Sequence, residues 1–399
     1  MNLKTVLLKL SSSANSCYLR KFQYYFNMKI RLHPIYFLVI LLAFYSCNNE
    51  EEPSPILSPL ENAYVNSEIW NWIPKEEMLT RAGFTTGYGV NFNKNSTKLI
   101  VYLDGGGACF NEITCFLNSF KFDEMDFDEL INSTGSQGSI GIFNRSSTNN
   151  PFSDWNFVYV PYVTGDVHSG NNPSADIPNG LSNQKMVGYN NITEVLKDIS
   201  PFFEEKGISE VFLSGASAGG YGTLINYNQV AEFFPELNIS MIADSSPMFT
   251  NTDIYPNCLN ERFENTFNFQ LPSDYSQYTS DTYPYRSQRI YEYLSRKYPD
   301  AQFGFFSYYA DETIRYFFGF GADDCADAIN PISEDLYLTG LTELAAHFED
   351  FENWEVYYEN GSSHTILFSS EFETLSVSDK KFTDWLKDLN NKQAVSYMR

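Results

Sequence analysis

Ser217 lies in the segment FLSGASAGGYG, where glycine and alanine flank it on both sides. Apolar residues 211–213 precede the serine, and a stretch of helical composition follows it. A serine in the pattern G-x-S-x-G, between a strand and a helix, is typical of a nucleophile elbow, a sharp turn that exposes the hydroxyl. The alternative is a tight turn without a chemical role. The flanking strand and helix patterns favour a nucleophile.

A serine hydroxyl needs a base to become a strong nucleophile, and the chain contains four histidines. His33 lies in the N-terminal segment, and His168 precedes Ser217. His347 lies in a stretch with helical spacing, which favours a structural role. His364 follows a strand candidate in the loop NGSSHT, close to the C-terminal end of the chain. Since the order of this site in α/β-hydrolases is serine, acid, histidine, we predict that His364 is the base.

An acid must then orient the imidazole and balance its charge. Asp311 follows the strand candidate FFSYYA and lies between Ser217 and His364, so it is our predicted acid. Asp244 also follows a strand, but it ends the strand directly after the elbow helix and could cap a turn. An acidic cluster that could equally be solvated contains the remaining candidates, Asp323, Asp324 and Asp327.

The glycine-rich segment LDGGGACF follows an early strand candidate. Gly106 and Gly107 can direct backbone amides into a site where side chains would obstruct, and the amide of Ala218 follows the nucleophile. These three residues are the predicted oxyanion donors. A structural turn is the alternative. A phosphate-binding loop is disfavoured, because no G-K-[ST] follows.

Composition narrows the class of protein. The chain has 399 residues, of which 43% are hydrophobic, 17% aromatic and 19% charged, and its formal net charge is −24. These values are typical of a globular protein. Such a negative charge repels phosphate backbones, so nucleic acid is not an expected partner. It also opposes a polyanionic substrate unless a local basic patch compensates.

The N-terminus has the layout of an export signal. Residues 28–47 begin with Met28, contain basic residues and an apolar run, and end in Ser46-Cys47, which resembles a bacterial lipoprotein signal with lipidation at Cys47. An ordinary signal peptide is the alternative. We expect that residues 1–27 precede the true start of the protein at Met28, and that residues 48–60 form a polar tether. We expect an outer-membrane or periplasmic lipoprotein, held to the membrane through its lipid.

Four cysteines remain after Cys17 and Cys47 are set aside, and they allow three pairings. We favour Cys109 with Cys115, because they close a short loop, and Cys258 with Cys325. An oxidising compartment would permit both bridges. There is no C-x-x-C pair, so we predict no zinc site.

Strand candidates alternate with helical stretches and end in loops that carry glycine or acidic residues. This pattern predicts an α/β fold with a mainly parallel sheet in a single domain, residues 61–395. Active groups are then expected at the carboxyl ends of the strands. Residues 251–300, after the strand that follows the elbow helix, break this rhythm and are rich in tyrosine. They predict an insertion that either forms a lid or aromatic binding surface or packs its tyrosines onto the domain.

The segments YLDGGGACFN, VPYVTGDVHSG, LSGASAGGYG and SSHTIL, with a weaker match at YYADETIR, resemble the pectin acetylesterase and Notum family of secreted serine carboxylesterases. The resemblance implies an α/β-hydrolase fold with helices on both faces of the sheet. It also implies the roles already assigned to Ser217, Asp311 and His364. His168 falls in a family segment near the site, where we expect it to line the pocket, with a structural role as the alternative.

Two departures from the family pattern concern the pocket. Asp104 stands where the family often has glutamate, and the turn at Gly107-Ala108 lacks a bulky aromatic residue. These departures alter the wall of the pocket, so the family pattern does not determine which acyl group the substrate carries. We expect a serine carboxylesterase that removes O-acetyl groups from a polysaccharide through an acyl-enzyme, without a cofactor or metal. The alternatives are a Notum-like deacylase of longer acyl esters and a non-catalytic surface lipoprotein that binds glycans through the tyrosine-rich insertion.

Overall fold

The computed structural model describes residues 57–116, 118–133, 136–322, 325 and 330–398. Several predictions made above fall on other residues. Outside the described residues lie the segments predicted as an overlong start (1–27), a signal (28–47, with Cys47) and a tether, the last up to residue 56. The acidic residues Asp323, Asp324 and Asp327 also lie outside them.

Among the described residues, eight strands form a central sheet. They are β1 (Asn71–Leu79), β2 (Thr85–Asn91), β3 (Lys98–Leu103), β4 (Asn156–Val160), β7 (Glu210–Ala216), β8 (Ile239–Asp244), β9 (Phe303–Tyr308) and β10 (Trp354–Glu359). The order across the sheet is β1-β2-β4-β3-β7-β8-β9-β10. The pairs from β4 to β10 are parallel, whereas β1 and β2 pair in an antiparallel manner and β2 joins β4 in the same way. The predicted mainly parallel sheet is confirmed.

Two short antiparallel pairs lie outside this sheet: β5 (Asn172–Ala175) with β6 (Gln184–Met186), and β11 (Ser376–Val377) with β12 (Lys380–Lys381). The helices are α1 (Pro59–Val65), α2 (Glu112–Phe116), α3 (Glu124–Phe127), α4 (Gly188–Glu205), α5 (Ala218–Phe233), α6 (Asn257–Glu261), α7 (Tyr275–Tyr278), α8 (Ile290–Lys297), α9 (Glu312–Ala322), α10 (Glu334–Phe348) and α11 (Phe382–Asn390). Within the part of the chain described, no helix is long and apolar enough to cross a membrane.

The sheet separates two hydrophobic cores, because side chains alternate between the two faces of a strand. On β3, Leu99, Val101 and Leu103 belong to the core that α4, α5, α8 and α10 cover. Ile100 and Tyr102 point to the other core, which α11 covers with its residues Phe382, Trp385, Leu386 and Leu389. Helices on both faces therefore fix the sheet, and the carboxyl ends of its parallel strands meet along one edge.

The folded region begins slightly before the predicted boundary at residue 61. Helix α1 starts at Pro59, and the Ser58 side chain accepts a hydrogen bond from the Glu61 N–H, 3.2 Å away. Serine at the N-cap and proline in the first turn are both favourable for starting a helix. Ser58 and Pro59 thus belong to the domain and not to the tether.

The fold also extends past residue 395, the predicted end. The Tyr397 N–H donates to the Val356 carbonyl, and the Tyr358 N–H donates to the Tyr397 carbonyl, both at 2.8 Å. These bonds join the C-terminal residues to β10, the last strand of the sheet.

The insertion lies between β8 and β9, as predicted. Four of its tyrosines, Tyr255, Tyr275, Tyr291 and Tyr293, are buried. Half of the eight tyrosines in the insertion are therefore packed into the domain, and the other four are half-buried. Both expected disulfides are present: Cys109 bonds to Cys115, and Cys258, in α6, bonds to Cys325.

Candidate active site

Ser217 occupies the turn between β7 and α5. Its backbone angles are φ +58° and ψ −122°, a conformation that residues with a side chain adopt at a cost. Close approach explains the glycines around it. A Cβ on Gly215 would lie 2.3 Å from the Gly219 carbonyl oxygen, and one on Gly219 would lie 1.9 Å from the Leu103 carbonyl oxygen. The serine is half-buried at a sharp turn from strand to helix, which is the backbone geometry that the sequence pattern predicts.

The predicted acid and base are in direct contact. His364 Nδ1 lies 2.8 Å from Asp311 Oδ2. The Asp311 side chain is fully buried, and that of His364 is 21% exposed. The other carboxylate oxygen, Asp311 Oδ1, accepts the N–H of Ile314 in the first turn of α9. A buried carboxylate on Nδ1 leaves Nε2 of the imidazole free to exchange a proton with a hydroxyl group.

We call residues 360–367, which follow β10, the histidine loop. Backbone hydrogen bonds attach its beginning to the segment that carries Asp311. The Ala310 N–H donates to the Gly361 carbonyl at 3.0 Å, and the Glu312 N–H donates to the Ser362 carbonyl at 3.1 Å. The acid and base segments are therefore aligned by their main chains as well as by their side chains.

Asp244, at the end of β8, joins the histidine loop to the elbow. Its carboxylate Oδ2 accepts the N–H groups of Ile366 and Leu367, at 2.8 and 3.0 Å. Its backbone carbonyl accepts the Ser217 N–H at 2.8 Å. Sequence analysis considered Asp244 as a second candidate acid or a turn cap. In the structure, the contact of His364 is to Asp311, and Asp244 binds backbone amides.

We call residues 105–107 the glycine loop. A Cβ on Gly105 would lie 3.1 Å from the Ser217 Cβ, so the loop lies against the serine. Gly106 and Gly107 have φ values of +154° and +82°. The Asn118 side-chain amide donates to the Gly106 carbonyl. The Tyr162 hydroxyl donates to the Gly107 carbonyl at 2.8 Å. Because both carbonyls are bound by neighbouring side chains, the peptide planes of the loop are fixed.

His168 is 2% exposed and lies beneath the glycine loop. Its Nε2 is 2.8 Å from the Asp104 carbonyl, which can only accept, so Nε2 carries the proton. Its backbone N–H donates to Asp166 Oδ1, and its ring packs against Tyr162. Burial lowers the pKa of His168 to about 4. These contacts favour the structural role that was left open for this histidine.

Further contacts reinforce the start of the glycine loop and the segment after it. Burial raises the pKa of Asp104 to about 6, although its carboxylate accepts a 2.7 Å hydrogen bond from the Tyr159 hydroxyl. The buried guanidinium of Arg81 donates to the Cys115 carbonyl at 2.8 Å, behind the Cys109–Cys115 bridge. Sequence analysis gave no role to Arg81, Tyr159 or Asn118, because their partners lie far away in the sequence.

His347 lies in α10, as predicted, and packs against Tyr283 and Phe351. Within the described residues, no three His, Cys, Asp or Glu side chains are grouped in a way that could hold a metal ion.

The chain is similar to known proteins in sequence and in fold. The sequence profile of the pectinacetylesterase family matches residues 82–295, more than half of the chain. That stretch contains the glycine loop and Ser217, whereas Asp311 and His364 lie beyond it.

Curated relatives include the palmitoleoyl-protein carboxylesterases notum2 of Xenopus laevis and NOTUM of Mus musculus. The first is 33% identical over 160 residues, and the second is 30% identical over 183 residues. These alignments cover 39% and 42% of this chain but only 30% and 33% of the relatives, so the chain matches about a third of their length.

A solved structure is similar over a longer range. The Wnt deacylase Notum from Drosophila superposes with a TM-score of 0.59, covering 84% of this chain and 96% of that one, at 18% sequence identity. This match shows the shared α/β-hydrolase fold. The profile match, which spans more than half of the chain, establishes that the chain belongs to the pectinacetylesterase family.

Proposed function

We propose that this protein is a serine carboxylesterase in which Ser217 is the nucleophile, His364 the general base and Asp311 the residue that orients it. The observation that carries the proposal is the 2.8 Å contact between His364 Nδ1 and Asp311 Oδ2, on a loop that Asp244 ties to the serine turn. In the proposed site, the amides of Gly106, Gly107 and Ala218 donate to the oxyanion.

In the first half of the reaction, Ser217 Oγ attacks the ester carbonyl carbon and its proton passes to His364 Nε2. The tetrahedral oxyanion is stabilised by the backbone amides and by the N-terminus of α5. Collapse breaks the bond to the alcohol oxygen, which takes the proton from His364. The alcohol leaves, and the acyl group remains on Ser217 as an ester.

In the second half, water attacks the acyl carbon and gives a proton to His364. The Ser217 oxygen then leaves and recovers that proton, so ester and water become acid and alcohol. Throughout, buried Asp311 stabilises the imidazolium that forms and keeps Nε2 directed towards the serine.

We propose an O-acetyl group on a polysaccharide as the substrate. The family to which the chain belongs is described as pectinacetylesterase. The ring of Phe317 supports a short acyl group, because its edge would lie 2.9 Å from a Cβ on Gly107 and so closes one side of the glycine loop. A neutral or methylated glycan suits a chain of net charge −24 better than a polyanion.

A second candidate is the hydrolysis of a longer acyl ester. It is favoured by the curated relatives, which are described as palmitoleoyl-protein carboxylesterases. Initial rates on acetate, butyrate and octanoate esters of one alcohol, together with acetate release from acetylated pectin, separate the two candidates. The acetyl proposal expects the acetate ester to have the highest kcat/KM.

We also propose export of the protein as a lipoprotein modified at Cys47. The two disulfides support an oxidising compartment. Mass spectrometry of the membrane-associated protein tests the lipid directly.

The catalytic assignment is tested by treating the purified protein with a fluorophosphonate probe and locating the adduct by mass spectrometry. We expect labelling at Ser217, and its loss in His364→Ala. We expect Ser217→Ala to lower kcat on an aryl acetate by at least about 10⁴-fold.

Ser214→Ala is the matched control for this experiment. Ser214 is buried three residues earlier on β7, and its hydroxyl has no hydrogen-bond partner among the described residues. It should retain wild-type rates. A folded wild-type protein that neither reacts with the probe nor hydrolyses any ester would contradict the proposal and favour a non-catalytic glycan-binding protein.

A further inference from the structure

Asp244 makes a set of hydrogen bonds that the proposed triad does not use. Its side chain is fully buried and accepts three of them, from Ile366 N–H, Leu367 N–H and Ser245 Oγ. The Ser245 hydroxyl oxygen in turn accepts the Thr365 N–H at 3.2 Å. Asp244 and Ser245 thus bind the three residues that follow His364 in the chain.

The same aspartate contacts the serine turn from the other side. Its carbonyl accepts the Ser217 N–H, and its strand, β8, runs parallel to β7 with Ala216 opposite Asp244. Asp244 is therefore bonded through its main chain to the nucleophile and through its side chain to the loop that carries the base.

These contacts hold three residues whose backbone has an unfavourable conformation. Ser217, Ser245 and Thr365 all have positive φ values, +58°, +57° and +64°. Each such conformation in a residue with a side chain costs free energy and persists only where surrounding bonds enforce it. All three residues are bonded to Asp244 directly or through Ser245.

We propose that Asp244 is a positioning residue that sets the distance and angle between Ser217 and His364. This inference rests on the proposed esterase function. Asp244 does not touch the substrate. It acts through the histidine loop, whose last amides would otherwise be free to move away from the elbow.

The negative charge of Asp244 strengthens its hydrogen bonds to the histidine loop. Burial raises its pKa to about 6, although the amides of Leu367 and Ile366, the charge of His364 and the Ser245 hydroxyl all favour the ionised form. The other titratable groups that face it are Tyr102 and Tyr308, whose pKa values are raised by burial, so both are neutral. Above pH 6 the loop amides therefore donate to a carboxylate, and such charge-assisted bonds are stronger than neutral ones.

Two substitutions test the proposal. Asp244→Asn keeps an oxygen that can accept both loop amides but removes the charge, and we expect kcat to fall about tenfold with KM unchanged. Asp244→Ala removes the acceptor, and we expect a fall in kcat of about 100-fold, the scale associated with a displacement of about 1 Å in an active site. If Asp244→Ala does not fold, Asp244→Asn decides.

The pH profile separates positioning from simple structural support. The ratio of wild-type to Asp244→Asn kcat should be largest above pH 6 and shrink below it, because a protonated aspartate and an asparagine are both neutral acceptors. The rate of labelling of Ser217 by the fluorophosphonate probe should fall in parallel with kcat.

Asn156→Ala is the matched control. Asn156 is also fully buried, and its side chain makes three hydrogen bonds, to Asn93, Ser96 and Lys98. It lies at the start of β4, at the amino ends of the parallel strands, whereas the site lies at their carboxyl ends. It should lower stability without changing kcat in the folded protein.

Folded Asp244→Asn with kcat within twofold of wild type at pH 7.5 would overturn the proposal. So would a loss that appears only in KM or that equals the unfolded fraction. An inert wild-type protein would instead contradict the esterase function itself, so the two failures are distinguishable.

Discussion

The glycine loop follows β3, next to the strand that ends just before Ser217, whereas the histidine loop follows β10, three strands away on the other side. Different chemistry holds the two loops in place. Neutral groups bind the carbonyls of the glycine loop and of the residue before it: the amide of Asn118, the hydroxyl of Tyr162 and the imidazole of His168. Two buried carboxylates, Asp311 and Asp244, bind the histidine loop. The first loop is fixed by donors to its carbonyls. The second is fixed, from His364 onward, by acceptors for the imidazole and for the N–H groups of the next three residues.

This difference follows from what each loop presents to the substrate. If the glycine loop serves as the oxyanion hole, its amides must remain free for the substrate, so only its carbonyls are available for support. In the proposed mechanism, the histidine loop carries a group that becomes positively charged during the reaction, and buried carboxylates stabilise that charge. Protonation of Asp244, whose pKa is raised by burial to about 6, should therefore weaken the support of the histidine loop in mild acid.

Removing the carboxylate that contacts His364 should have the largest effect. We expect Asp311→Asn to lower kcat on an aryl acetate by about 10⁴-fold, because an amide stabilises the wrong imidazole tautomer and cannot balance its charge. Steady-state kinetics of the folded variant measures this. Asp274→Asn, which disrupts a pair with Lys297 in the insertion, is the control and should leave kcat unchanged. Equal losses in the two variants would contradict the assignment of Asp311.

The buried imidazole of His168, beneath the glycine loop, should make the free energy of unfolding depend on pH. Burial holds the pKa of His168 at about 4, below its ordinary value of 6.5, so the unfolded chain binds the proton more readily. The stability contributed by neutral His168 is complete above pH 6.5 and is lost as the pH falls through 6.5 towards 4. We expect wild type to lose about 2 kcal/mol more free energy of unfolding than His168→Gln between pH 7 and pH 5.

Urea unfolding of both proteins at the two pH values measures this difference. Other buried groups, such as Asp104, titrate in both proteins, so comparing the two isolates His168. Identical pH dependence would mean that His168 is accessible to protons in the folded state.

Weakening the support of the glycine loop should have the smallest effect. Asn118→Ala leaves the Gly106 carbonyl without its side-chain donor but keeps the proposed oxyanion amides. We expect kcat to fall about tenfold, less than the 10²-fold or greater cost of deleting an oxyanion donor itself, with KM unchanged. Asn150→Ala removes two similar bonds to main-chain carbonyls before β4 and should leave kcat unchanged. A loss above 10³-fold would show that Asn118 contacts the reacting atoms.

Local sequence predicted much of this arrangement. The small residues around Ser217 are required by close backbone approach within a few positions, so G-x-S-x-G between a strand and a helix indicates the turn directly. Asp311 and His364 could be chosen because each follows a strand, and strand ends meet at one edge of a parallel sheet. Both disulfide pairings were also predicted correctly.

The remaining contacts depend on long-range packing. Asp244 binds amides more than 120 residues away, and no local pattern distinguishes that from capping a turn. Burial decides the state of His168, and burial depends on the whole fold. The antiparallel strands β1 and β2 were not predicted, because β1 contains proline and three consecutive charged residues and β2 contains two glycines, which weakens the alternating pattern.

The attachment of Tyr397 to β10 has a consequence for the solubility of the folded chain. A last strand with unpaired backbone groups is a template on which a second molecule can add its own strand, which leads to aggregation. Here the groups of Val356 and Tyr358 are bonded to Tyr397 instead. At the other margin of the sheet, β1 carries Pro74 and the charged residues Lys75, Glu76 and Glu77, which discourage such pairing. Both margins of the sheet are thus protected against strand addition, one by the chain itself and the other by charge and proline.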